Sequence, residues 1–305
     1  MAITTYSAAP YSDDFSQDKN YLRILFRPGR SVQVRELNQL QSNIQDQIDK
    51  FGRHIFKDGD RVLDGYTNYD SSIQSIGVNW ENSTVELTAV ELASLKGREI
   101  LSGTDWRAKI LSAENHNGGQ RLFVKLVGRG GSFSNTQDVN IVLDTNEKLT
   151  FGGVEYENND KIGTVDTSIE AIKNHGGFFQ DAGVFFIKGH FVHTDATVAF
   201  HEKTTATPKL TGTAVFDITE SIITSGADTS LLDNANGEPN DNAPGADRYK
   251  ITLDLKFIPS STNQAATLSR TKLLDIKEDK VVNPARTEYS ELGKALAERT
   301  QEESG

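Results

Sequence analysis

The period of the apolar positions changes along the chain, and with it the predicted structure. Between Ser31 and Phe56, Val34, Leu37, Leu40, Ile44, Ile48, Phe51 and Ile55 recur at spacings of three and four, with Gln, Asn, Asp and Arg between them. That spacing places them on one face of an amphipathic helix spanning 31–56. Ser31 is the expected N-cap, because its hydroxyl can accept from first-turn amides, and Gly52 is the expected fraying point near the end. The stripe is expected to pack on the chain's own β lobe; with barely three heptads available, an oligomer seam is the alternative.

Ahead of the helix, residues 1–30 read as an extended arm. Its turn-forming residues, among them Pro10, Asp13, Asp14, Pro28 and Gly29, surround an apolar island from Tyr21 to Phe26 that predicts one short strand. From 57 onward the period falls to two. Leu122, Val124 and Leu126 alternate with Phe123, Lys125 and Val127, and Tyr249, Ile251, Leu253, Leu255 and Phe257 alternate with Lys250, Thr252, Asp254 and Lys256, as strands with one buried face do. Val184–Ile187 and His190–His193 flank Lys188-Gly189 and predict a hairpin with a two-residue turn.

Glycine-rich turn signals recur at Asn117–Gly119, Gly128–Ser132, Gly152-Gly153 and Gly176-Gly177. The expected fold is therefore mainly β with α segments: β-sandwich or barrel-like lobes, one N-terminal amphipathic helix and one C-terminal helix. The expected divisions are a β-rich region over 57–205, a second β region over 206–265 and a C-terminal helical segment over 266–305. The second β region carries a long exposed loop at 233–247, DNANGEPNDNAPGAD, which joins strands near 214–223 and 249–258. No internal repeat is legible.

Charge and composition then narrow the function classes. The formal net charge of −11, with no Lys/Arg run longer than a pair, speaks against nucleic acid as a partner. The chain has no cysteine, which removes disulfides, thiolate metal sites and cysteine nucleophiles. The N-terminus has neither a basic n-region nor an apolar h-region, and no apolar run approaches the length of a membrane span. Synthesis in the cytoplasm without membrane insertion is the expectation.

Searches for chemistry fail one by one. His190 and His193 lie three apart on a predicted strand and so point to opposite faces, which does not suit chelation of one ion. His201-Glu202 opens like a zinc-protease helix, but Thr205 stands where the second ligand is required. Aligning Gly237 with the obligatory glycine of a calcium loop puts Leu232 at the first ligand position. Gly128–Ser132 lacks the lysine and spacing of a phosphate loop, and there is no Gly-x-Ser-x-Gly elbow. The 43 acidic residues could hide a carboxylate pair, whose separation only the fold would set. No enzyme activity, cofactor or metal site is expected.

Three ordered stretches carry a resemblance: Asp14–Tyr21, Ile24–Arg30 and Val34–Gln41. Further similar stretches are Gly52–Gly59, Ser230–Asp233 leading to Asn242–Arg248, and Leu296–Thr300. Together they resemble a family of virion proteins of contractile-tailed, T4-like phages, known by the domain of unknown function 4815. The resemblance implies a non-enzymatic structural component of a phage tail, a baseplate or tail-fibre connector, synthesised in the host cytoplasm and located in the virion. It implies other tail or baseplate proteins as partners, and homo-oligomers, trimers among them.

The arm and the two helices are the expected assembly contacts, through Tyr21, Phe26, Leu37, Leu40, Ile44, Ile48, Leu292 and Leu296. Relatives continue past the final Ser-Gly, so ending at Gly305 reads as a short, processed or truncated form and favours attachment over receptor recognition. The alternative is a receptor- or glycan-binding tail-fibre module, with Trp80, Trp106 and Tyr69 as candidate stacking residues.

Overall fold

The computed structural model describes residues 12–80, 87–102, 106–116, 119–129, 148–152, 163–165, 172–235, 237–260, 269–283 and 290–304. Helix α1 (Val34–Ile55) precedes β1 (Arg61–Asp64), β2 (Thr67–Trp80), α2 (Ala89–Ser94), β3 (Glu99–Ser102), β4 (Trp106–His116) and β5 (Gly119–Arg129). Then come β6 (Lys148–Gly152), β7 (Gly163–Val165), β8 (Ile172–Gln180), β9 (Gly183–Ile187), β10 (His190–Thr194) and β11 (Thr197–Glu202). The chain continues through β12 (Gly212–Ile223), β13 (Arg248–Pro259), β14 (Arg270–Lys277), β15 (Lys280–Asn283) and α3 (Ser290–Ser304). The strands form three antiparallel sheets, so the chain is mainly β with α segments.

Strand β2 organises the first lobe because it is 14 residues long and pairs with three neighbours. Its first half bonds β8, its second half bonds β5, and its last residues, Val78–Trp80, bond β7. The pairings β2–β5–β4–β3–β6–β7 then return to β2 and close a six-stranded antiparallel barrel, which leaves no sheet edge around that ring. Inside sit Ile76, Val78, Ile100, Ala108, Ile110, Leu122 and Val124, with Leu92 and Leu95 from and just after α2. The alternation read at Leu122, Val124 and Leu126 is this inward face. The other face of β5 is buried at its start, where Phe123 stacks on Phe200 of β11 at 4.2 Å and meets His175 edge-on, and exposed at Lys125 and Val127.

The second lobe is a sandwich. Strands β12 and β13 pair in unbroken register from Gly212 with Pro259 to Ile223 with Arg248, and β14 and β15 extend the sheet. Phe216, Leu253, Leu255, Leu274 and Ile276 from this sheet share one core with Phe178, Phe185, Ile187 and Val192 from β8, β9 and β10. The expected hairpin is present as β9–β10, and its turn residues Lys188 (φ 50°) and Gly189 (φ 83°) both adopt the left-handed conformation that such a turn requires. The loop after β12 is exposed and folds on itself, with Leu232 bridging Pro244 and the Asp233 carboxylate accepting from the Ala235 amide at 2.9 Å.

Three expectations are corrected. The helix N-cap is Gln33 rather than Ser31, and its amide donates to the Glu36 carboxylate at 2.9 Å. The apolar island Tyr21–Phe26 makes no strand; a 3-10 turn at Gln17–Lys19 precedes it. Residues 270–283, placed in a helical segment, form β14 and β15; the adjacent Leu273 and Leu274 are both buried, which hides the alternation that would have marked a strand.

One half-buried carboxylate ties the lobes together. Asp279, in the β14–β15 turn, accepts from Tyr69 Oη of β2 at 2.6 Å and from the Leu210 amide at 2.9 Å through Oδ1, and from Lys203 Nζ at 2.8 Å through Oδ2. Burial alone would raise its pKa, but Lys203, Tyr69 and the Leu210 amide together hold it below the usual carboxylate range. A carboxylate depressed in the folded state contributes stability above its unfolded pKa of about 3.9, and that contribution is lost as pH falls through the folded value. Asp279→Asn should therefore lower unfolding stability by roughly 1–3 kcal/mol at pH 7, and by less at pH 3, in denaturant titrations. Equal losses at both pH values would contradict the assignment.

Candidate assembly interface

Helix α1 has its polar side turned inward. Its buried residues are Gln39, Asn43 and Gly52, while Val34, Leu37, Ile44, Ile48 and Phe51 are 38–65% exposed. The expectation that the apolar stripe packs on the chain's own β lobe is thus overturned. Leu40 is half-buried.

Short polar contacts and one glycine account for the inversion. Gln45 Nε2 donates to the Gly189 carbonyl in the β9–β10 turn at 2.8 Å, and the Lys188 amide next to it donates to the Asp58 carboxylate. On the arm side, Ser42 donates to Asp13, and Gln17 Nε2 donates to Asp46 at 2.7 Å. Gly52, read from sequence as a fraying point, is buried against the ring of Phe186: an added Cβ would lie 2.3 Å from its Cε2. Beyond the helix end, Phe56 inserts between Phe186 and Phe191, with ring centroids 6.1 Å from each. The anchor is therefore at the C-terminal end of α1, and the stripe plays no part in it.

The arm carries exposed apolar residues as well. Tyr21, Leu22, Leu25 and Phe26 are 48–77% exposed and alternate with the exposed arginines Arg23, Arg27 and Arg30. Helix α3 contacts α1, and its Leu296 is 56% exposed; the side chain of Leu292 lies outside the described residues. Of the contact residues expected from sequence, Tyr21, Phe26, Leu37, Ile44, Ile48 and Leu296 are exposed. Clustered exposure of this kind on a charged chain is unusual for a surface that stays in water.

Elsewhere, a polar network lies inside the first lobe. Ser75 Oγ lies 2.8 Å from His175 Nε2 and accepts from Arg121 Nε at 3.0 Å, but Ser75 is fully buried, so no substrate reaches it. Sequence spacing gave no sign of this network, whose members lie 46 to 100 residues apart. His190 and His201 are half-buried, which lowers their pKa values, while His193 is exposed near Asp195. Among the described residues no group of three His, Cys, Asp or Glu is placed to hold a metal ion, and no helix is long and apolar enough to cross a membrane. Tyr69 is half-buried against Phe178 and bonded to Asp279, so it offers no free stacking face; the side chains of Trp80 and Trp106 lie outside the described residues. An open polar groove of about 680 Å³ runs beside Ser71, Ser72, Gln74, Lys173, Asn174 and Glu202.

A family model described as a domain of unknown function, DUF4815, matches residues 9–79, the segment that carries the arm, α1, β1 and almost all of β2. The similar stretches noted at 230–248 and 296–300 fall outside that match. No curated protein and no solved structure matches the chain.

The two sides of α1 should respond oppositely to mutation. Gly→Ala in a helix normally stabilises by about 0.5–1 kcal/mol, yet Gly52→Ala should destabilise by roughly 1–3 kcal/mol, because the fully buried Phe186 ring has nowhere to move. Ile44→Ser, on the exposed side, should change the intrinsic stability of the single chain by no more than about 0.5 kcal/mol. Denaturant midpoints at low protein concentration measure both, and a larger loss for Ile44→Ser than for Gly52→Ala would reverse the assignment of faces.

Proposed function

We propose that this chain is a structural, non-enzymatic component of a bacteriophage tail, a baseplate or tail-fibre connector that acts through protein–protein assembly. The observation that carries the reading is the outward apolar face of α1, continuous in sequence with the exposed arm and lying within the segment matched by the DUF4815 model. The resemblance of that segment to virion proteins of contractile-tailed phages supports the virion location. Leu22, Leu25 and Phe26 interleaved with Arg23, Arg27 and Arg30 suit a partner surface that is apolar at its centre and acidic at its rim, as neighbouring tail or baseplate proteins could present.

A second reading, a receptor- or glycan-binding tail-fibre module, draws support from the polar groove beside Gln74, Asn174 and Glu202, whose amides and carboxylate could bind sugar hydroxyls. Quantitative mass spectrometry of purified tails separates the two, combined with glycan-array binding of the isolated chain. The assembly reading predicts the chain at fixed stoichiometry in tails, and loss of complete tails when its gene is interrupted. Absence from tails contradicts it, and array binding abolished by Asn174→Ala favours the second reading.

A further inference from the structure

The N-terminal half of α1 lies ahead of its anchor at Gly52 and Phe56, and the arm crosses it. Ser42 Oγ donates to the Asp13 carboxylate, and Gln17 Nε2 donates to Asp46 at 2.7 Å. Residues 39, 42, 43 and 46 are linked by spacings of three and four and so share one side of the helix, the side that those two bonds place under the arm. Gln39 and Asn43 are buried there, and Asn43 is only 3% exposed. Neither Nδ2 nor Oδ1 of Asn43 has a hydrogen-bond partner among the described residues.

A buried amide without partners is rare in a folded protein, because the desolvation of its donor and acceptor is not offset. That cost is of the same order as the stabilisation that a side-chain hydrogen bond such as Ser42 to Asp13 or Gln17 to Asp46 contributes. The larger apolar residues of the arm do not tip the balance, since Tyr21, Leu22, Leu25 and Phe26 stay exposed with the arm in place. Lifting the arm returns both polar groups of Asn43 to water and leaves the packing of Gly52 and Phe56 on Phe186 unchanged. Once lifted, the segment from residue 12 to the start of α1 spans roughly 70 Å when extended. Its exposed apolar residues and arginines then reach a surface that α1 itself does not touch.

We infer that the arm is a releasable strap, which lies over the unpaired Asn43 in the free chain and swings out to take hold of a neighbouring protein. The inference rests on the reading of the chain as an assembly component and adds how its arm is set free. Hydrogen exchange of the full chain measures the opening at Phe15, Lys19 and Asn20, whose amides are bonded within the arm over spans too short to persist once it is free. Asn43→Leu, which removes the unpaired groups, should slow exchange at these amides roughly tenfold. Asn43→Asp, which buries an unpaired charge at the same place, should speed it. Amides of β12 and β13 should exchange at the same rate in all three proteins, as the measure of an intact fold. Unchanged arm exchange in both variants overturns the inference, as does a change confined to α3, which also contacts α1. In a chain with no other cysteine, Asp13→Cys with Ser42→Cys, bridged by a short bismaleimide, holds the strap shut. The bridged chain should fail to enter tails that the unbridged chain enters, and its entry at normal stoichiometry also overturns the inference. Absence of the wild-type chain from tails removes the proposed function and leaves the exchange result standing.

Discussion

The close approach of Gly52 to the Phe186 ring determines what the rest of α1 can do. A helix that meets its own domain through a glycine, a Gln45 amide and the end of its run turns its larger side chains elsewhere. Had the stripe faced inward, it would have added to the core at roughly 25 cal/mol per Å² of apolar area removed from water. Facing outward, that area adds nothing to the folding free energy of the chain. The fold thus keeps this apolar face separate from its own core.

Separation of this kind works only if the body is stable without the helix face, and the two β lobes supply that. The closed ring from β2 to β7 buries its own core, and the sandwich of β12–β15 on β8–β10 buries another. Tyr69, Lys203 and the Leu210 amide meet at Asp279 and hold the lobes in one orientation. The β9–β10 turn, where Gly189 has no room for a side chain beside Asp49, is then a fixed seat for α1. From there the stripe faces away from the β lobes.

Periodicity revealed what is local. Leu122 and Val124, Leu253 and Leu255, and the Lys188-Gly189 turn were legible because alternation and a positive-φ turn depend on near neighbours. The direction in which a helix face points is decided by partners far away in sequence, and α1 shows the consequence: the stripe was read correctly and its orientation was not. Gly52 misled for the same reason, since its role is set by a ring 134 positions further on. The adjacent buried pair Leu273 and Leu274 breaks the alternation that would have marked β14. The closure of the barrel through β6 and β7 rests on strands of 5 and 3 residues, too short to carry a period. The apolar stripe and island were legible because apolar spacing is local chemistry; which of their residues are exposed needed the fold.

Carbene footprinting of the chain across a dilution series tests the central claim, that α1 shows solvent or a partner its apolar side, most directly. Leu37, Ile44 and Phe51 should be labelled strongly at the lowest concentration, while Phe56 and Phe186 stay protected throughout. Protection of Leu37, Ile44 and Phe51 that persists undiminished at the lowest concentration would mean that the stripe is packed on its own domain, and would contradict the account.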